Sequence, residues 1–124
     1  MDIKRAIIAG VILWAAIFFE VSILMFGFGL TTGNLYYSLH YILAGILAGA
    51  AGMFYFTGKV KPGISEGAKA GIVVLAAGIA LDAIITVPLF VKDYAFFLDF
   101  SMLLGYIETL AIVAAVGFVK EKKG

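Results

Sequence analysis

The chain has 124 residues, of which 64% are hydrophobic and 14% charged, and its formal net charge is +1 at pH 7. Soluble domains are usually about 45–50% apolar and about 25% charged, so this composition, with a mean hydropathy of +1.12, excludes an ordinary soluble domain. The small net charge argues against nucleic-acid binding, and the absence of cysteine excludes disulfides and thiolate metal sites.

Four apolar segments follow one another, each about as long as the roughly 20 residues that a helix needs to cross a bilayer. They cover about 3–29, 35–57, 67–91 and a last stretch from 94 or 97 to 119. Ser65, in the connection "GKVKPGISEGAK", is a candidate N-cap for the third helix. Sustained alternation of polar and apolar residues is absent, so β-barrel strands are not expected. The sequence therefore predicts an all-α polytopic membrane protein with four transmembrane helices in one domain, residues 1–124.

Basic residues are distributed unevenly over the connections. Only Lys92 lies in the third connection, and the other eight flank the predicted helix ends on the opposite side: Lys4, Arg5, Lys59, Lys61, Lys69, Lys120, Lys122 and Lys123. By the positive-inside rule, we expect an integral protein of the cell membrane with both termini in the cytoplasm. The strength of the bias argues against dual topology.

The two halves of the chain resemble each other weakly. A shift of 62 residues places Glu20 on Asp82 and matches Leu13 with Leu75. We hypothesise two tandem helical hairpins, residues 1–62 and 63–124, which form a parallel repeat about an axis along the membrane normal. Such an axis would make Glu20 and Asp82 face each other.

Four ionisable residues lie within the predicted spans: Glu20, His40, Asp82 and Glu108. A charge at the bilayer centre costs about 2.5–3.5 kcal/mol on insertion scales, so we expect these acids to stay protonated or to share a proton or cation. With a rise of 1.5 Å per residue, all four fall at the midplane or in the outer half of the membrane, within about 10 Å of one another in depth. They are the predicted ion- or proton-binding residues. The alternative is that they make only structural hydrogen bonds, or, for His40, that it belongs to an interfacial group of tyrosines.

Further residues are predicted to support these groups. The candidate polar neighbours are Thr86, Tyr106, Tyr37 and Tyr41. Pro88 lies two turns beyond Asp82 and predicts a kink there. Two pairs with GxxxG spacing predict close helix packing: Gly45 with Gly49, and Gly67 with Gly71.

Signatures of known catalytic and cofactor sites are absent from the sequence. There is no GxSxG, HExxH, Walker A or GxGxxG pattern, and a single histidine cannot form a multi-histidine site in one chain. We therefore expect no cofactor, assign no metal and do not predict an enzyme. The pair Glu20-Val21 in the first of four short spans is similar to the small multidrug-resistance exporters, although Asp82, His40 and the charge bias depart from their pattern.

These features favour a small transporter or channel-like carrier that binds protons or a cation, including a cationic small molecule, at Glu20, Asp82 and Glu108. Four helices enclose little volume, so we expect a homodimer or a higher oligomer in the lipid bilayer. One alternative is a non-transporting scaffold or accessory subunit whose buried acids are structural. The other is a lipid-active membrane enzyme.

Overall fold

A computed structural model describes residues 2–29, 33–92 and 100–123 of the chain. These residues form helices α1 (Ile3–Ser22), α2 (Asn34–Phe56), α3 (Ile64–Leu81) and α4 (Phe100–Lys123), and none of them belongs to a strand. Four segments are long and apolar enough to cross a membrane: Ile3–Gly27, Asn34–Phe56, Ile64–Leu89 and Met102–Lys122. The prediction of an all-helical fold is therefore confirmed for the described residues, and the four segments have the length and composition expected of the predicted transmembrane helices.

One of the predicted helix boundaries differs from that in the structure, and another cannot be compared. α3 begins at Ile64, after Gly63, and no side chain caps it. The prediction that Ser65 is the N-cap is therefore wrong, because the helix starts one residue before it. The described part of the fourth helix begins at Phe100, and the predicted starts at Tyr94 and Phe97 lie outside the described residues.

The first and third spans continue beyond their α-helices as π-helices, which the sequence analysis did not predict. Segment π1 (Ile23–Gly27) follows α1, and segment π2 (Asp82–Val91) follows α3 and contains Pro88. π-helices have i→i+5 hydrogen bonds and are frequent at functional sites. Glu20 lies three residues before π1 and Asp82 is the first residue of π2, so both spans change their helical geometry next to an acid.

The four helices form a bundle in which neighbours are not always consecutive in sequence. α1 packs against α2 and α3, α4 packs against the same two helices, and α2 and α3 have few contacts with each other. One end of the bundle holds the start of α1, the α2–α3 connection and the end of α4, as the approach of Gly117 to the carbonyl of Gly63 demonstrates. This end carries most of the basic residues and is called the basic end below.

This packing bears on the hypothesis of an internal repeat. In a square bundle, a twofold axis relates helices at opposite corners, whereas α1 lies beside α3 and α2 lies beside α4. The proposed axis would place α1 opposite α3 and α2 opposite α4, so the observed order of the helices differs from the expected one. The similar α-to-π transitions beside Glu20 and Asp82 fit related hairpins, and the duplication stays a prediction.

The core of the bundle consists largely of small side chains. One buried cluster contains Ala9, Leu13, Ala48, Ala51 and Val74. A second cluster, nearer the basic end, contains Ala6, Tyr55, Phe56, Ala70 and Val113. Larger apolar side chains point outward from every helix, as expected where the surroundings are lipid: Phe19, Ile46, Ile72 and Ile107.

The predicted packing glycines differ in how closely a neighbour approaches them. A Cβ on Gly67 would lie 2.7 Å from the carbonyl oxygen of Val113, and one on Gly71 would lie 2.9 Å from Cδ1 of Leu110. Gly45 borders Glu108 and Ile112, and Gly49 has ordinary contact with Ile112. The Gly67–Gly71 pair therefore brings α3 close to α4, while Gly45 provides room for a carboxylate.

We expect Gly67→Ala to lower the free energy of unfolding by about 1–3 kcal/mol, the usual cost of overpacking, because backbone atoms of α4 block the new methyl group. Gly78→Ala is the matched control in the same helix, since nothing lies within 4 Å of a Cβ there. Thermal unfolding of the two purified variants in one detergent measures the difference. Equal midpoints would contradict the packing of α3 against α4.

Candidate functional site

Glu20 of α1 contacts His40 of α2 inside the bundle. His40 Nδ1 lies 2.9 Å from Oε1 and 3.2 Å from Oε2 of Glu20. The Glu20 side chain is 8% exposed and that of His40 is 20% exposed, so both groups are largely removed from the surroundings. A carboxylate can only accept hydrogen bonds, so Nδ1–H is the donor when Glu20 is ionised. The buried acid therefore has a partner that can carry a positive charge.

Aromatic rings surround His40 on its own helix. The ring of Tyr36 stacks on the imidazole at 5.8 Å with an interplanar angle of 6°, and Tyr36 is buried. The ring of Tyr41 lies 5.3 Å from the imidazole at a tilt of 50°, and Tyr37 stacks with Tyr41 at 6.3 Å. The predicted neighbours Tyr37 and Tyr41 thus belong to one tyrosine group that fixes the orientation of His40, and Tyr36 is a member that the sequence analysis did not select.

Glu108 of α4 lies next to α2, at Gly45. It interacts electrostatically with His40, and its Oε2 would lie 3.2 Å from a Cβ on Gly45. The glycine therefore lets the second carboxylate approach α2. Glu20, His40 and Glu108, with Tyr36, are called the histidine centre below.

Asp82 belongs to a different group of polar side chains. Its Oδ1 accepts hydrogen bonds from Trp14 Nε1 at 2.8 Å and from Thr86 Oγ1 at 2.7 Å. Tyr106 of α4 interacts electrostatically with Asp82, and its buried hydroxyl has no hydrogen-bond partner in the described part of the chain. Trp14, Asp82, Thr86 and Tyr106 are called the tryptophan centre below. Thr86 and Tyr106 were predicted, but Trp14 was not.

The structure does not join the acids as the hypothesis of a facing pair requires. Among the described residues, no hydrogen bond links Glu20 with Asp82, and each acid has its own partners. Trp14 precedes Glu20 by six residues, which places the two centres roughly 9 Å apart along α1. Within residues 2–29, 33–92 and 100–123, no three His, Asp or Glu side chains form a group that could hold a metal ion.

A third polar group lies at the basic end. The fully buried Tyr55 donates a hydrogen bond to Glu66 and accepts one from the backbone N–H of Asp2 at 3.1 Å. Arg5 Nε donates to the carbonyl of Phe54 at 3.0 Å, and its guanidinium lies 4.4 Å from the centre of that ring. These contacts tie the start of α1 to the end of α2 and the start of α3. The sequence gives no periodic signal that pairs these residues, since they meet only through the tertiary fold.

Comparisons with known proteins yield no relative. No protein-family model, no curated protein and no solved structure matches the chain. The function is therefore inferred from the geometry of the polar centres.

We expect the Glu20–His40 contact to appear as a coupling energy in a double-mutant cycle. Glu20→Leu combined with His40→Phe should give a coupling of about 1 kcal/mol in the free energy of unfolding, in the range measured for hydrogen bonds between membrane helices. Glu20→Leu combined with Asp82→Asn is the control and should be additive within about 0.5 kcal/mol, because these residues share no partner. Unfolding in mixed micelles with increasing sodium dodecyl sulfate provides both values. Equal couplings in the two cycles would contradict the separation of the centres.

Proposed function

We propose that this protein is a small membrane carrier that exchanges protons for a cation and that the histidine centre is its proton-binding site. The observation that supports this proposal best is the Glu20–His40 pair, which is hydrogen-bonded, largely buried and located within two segments that are long enough to span a membrane. An ionisable residue within a membrane span usually indicates a functional site, because an apolar residue in its place would have a lower free-energy cost of insertion.

The identity of the two partners favours exchange of a proton over a purely structural contact. A lysine or arginine beside Glu20 would stay charged, whereas histidine gains and loses its proton near neutral pH. The pair can exist as carboxylate with imidazolium or as carboxylic acid with neutral imidazole, and both forms have zero net charge. It can also gain a proton to become a cationic pair. A centre with these states can take up a proton at one side of the membrane and release it at the other.

Glu108 provides a second carboxylate for the same imidazole. With Glu20 and Glu108 both ionised, a protonated His40 would leave one negative charge, which favours uptake of a further proton or of a cation. Glu108 lies near the predicted midplane, and Glu20 lies nearer the end of the bundle opposite the basic end. We infer that a proton would enter from that opposite side and pass from the Glu20–His40 pair toward Glu108.

We extend the proposal to orientation and assembly. The start of α1 and the end of α4 lie at the basic end, and eight of the nine basic residues in the sequence flank that end, so we propose that it faces the cytoplasm. A bundle with a core of small side chains encloses little space for a substrate, which favours a homodimer or a higher oligomer.

The alternative of a non-transporting scaffold has one observation in its favour. Asp82 accepts hydrogen bonds from Trp14 and Thr86, and a carboxyl group that joins two helices in this way needs no transport role. In that case the buried acids would hold the helices in register, and their neutral analogues would weaken assembly.

Proton movement in liposomes tests the proposal. We expect the wild-type protein to change the internal pH of vesicles that contain a pH-sensitive dye when a sodium or methylammonium gradient is applied. Glu20→Gln should reduce the rate to that of vesicles without protein, because the amide cannot take up the proton. Glu121→Gln makes the same chemical change at an exposed carboxylate near the end of α4 and should retain the wild-type rate.

Two results would contradict the carrier proposal. One is a wild-type protein that stays folded and moves no protons with either gradient. The other is Glu20→Gln with an undiminished rate. Loss of the oligomer in Glu20→Gln, together with an inactive wild type, would favour the scaffold.

A further inference from the structure

We infer that the tryptophan centre binds a small monovalent cation, either a sodium ion or a protonated primary amine, at a site separate from the histidine centre. In the proposed carrier this cation is the cargo, and that assignment rests on the proposed function. The binding site itself rests on the hydrogen bonds of Asp82 with Trp14 and Thr86 and on the buried, unpartnered hydroxyl of Tyr106.

The hydrogen bonds of Asp82 leave one of its oxygen atoms for a ligand. Both donors given by the described residues, Trp14 Nε1 and Thr86 Oγ1, end on Oδ1. A carboxylate has about four lone-pair sites on its two oxygens, so Oδ2 can accept or coordinate a further group. Both donors are also neutral. They orient the carboxyl group without balancing the negative charge that it carries when ionised.

Tyr106 supplies a second oxygen from another helix. Its hydroxyl is buried, interacts with Asp82 electrostatically and has no hydrogen-bond partner among the described residues. Buried hydroxyl groups normally have a partner, which can be a ligand. A sodium ion or an ammonium group near Asp82 would provide one, since a phenol oxygen can coordinate the first and accept a hydrogen bond from the second.

The remaining groups define the class of ligand. Thr86 Oγ1 donates its hydrogen to Asp82, so its lone pairs remain available to a cation. Trp14 directs its Nε1–H edge at Asp82 and fixes the orientation of the carboxyl group. A single carboxylate balances one positive charge, and an excess charge within a membrane span is costly, so a monovalent ion fits better than a divalent one.

The location of Asp82 at the start of π2 supports a binding role. The widened backbone geometry begins at this residue and extends past Thr86. π-helical segments are frequent at functional sites. Here the transition places the carboxyl group and the hydroxyl of Thr86, four residues later, within hydrogen-bond distance on the side where Trp14 lies.

The only tryptophan in the sequence reports on this site directly, because Trp14 donates a hydrogen bond to Asp82. We would titrate the purified full-length protein with sodium chloride or methylammonium chloride and record Trp14 emission, with ionic strength held constant by N-methylglucamine chloride. We expect a saturable change with at least one of the two cations. Asp82→Asn should abolish this change, and Tyr106→Phe and Thr86→Val should raise the dissociation constant several-fold. Glu20→Gln should retain it.

Several outcomes would overturn the inference. One is folded wild-type protein in which Trp14 emission shows no saturable change. Another is a change in emission that persists in Asp82→Asn. The third is a change that is lost in Glu20→Gln as well as in Asp82→Asn. If Asp82→Asn does not fold, an unchanged dissociation constant in both Tyr106→Phe and Thr86→Val would overturn it instead. A normal Trp14 response in a protein that moves no protons would keep this site and reject the carrier. Proton movement without any change in Trp14 emission would keep the carrier proposal and reject this cation site.

Discussion

The hydrogen bond between Glu20 and His40 satisfies the strongest physical constraint on this chain, which is that an acid within an apolar span needs a partner. Water solvates an ionised carboxylate far better than lipid or protein does, so a buried one requires hydrogen bonds and an opposite charge. His40 provides both, because its Nδ1 reaches the two oxygens of Glu20. A contact of this kind between α1 and α2 holds the first hairpin in one register.

Polar and apolar layers alternate along the bundle axis. On α1, Arg5 lies at the basic end, Ala9 and Leu13 belong to the small-residue core, Trp14 follows, and Glu20 comes last. Residues of the other helices that lie at the same depth as these α1 residues belong to the same polar and apolar layers. The polar contacts of the basic end and the histidine centre are thus separated by an apolar layer. Small buried side chains such as Ala48 form that apolar layer.

The sequence was sufficient to predict the four transmembrane helices and the four ionisable residues, because hydropathy and the cost of a buried charge are local properties. It predicted Thr86 as a polar neighbour, but it did not pair Glu20 with His40 or Asp82 with Trp14. His40 and Glu20 are separated by 20 positions and Trp14 and Asp82 by 68, so their contacts depend on how the helices pack. The π-helices were also missed: Pro88 indicated a kink, but no residue pattern marked an α-to-π transition at Asp82. Gly45 was predicted to serve helix packing, and the structure adds that it makes room for Glu108.

The protonation and hydrogen bonding of His40 test the central claim most directly. His40 is the only histidine in the sequence, so protein with ¹⁵N-labelled histidine gives imidazole nitrogen signals from one residue in solid-state NMR spectra of the protein in lipid bilayers. The account predicts an Nδ1 signal typical of a donor to a carboxylate and a marked change in that signal in Glu20→Gln. Nitrogen signals of a histidine without such a bond, unchanged by Glu20→Gln at every pH at which the protein stays folded, would contradict it.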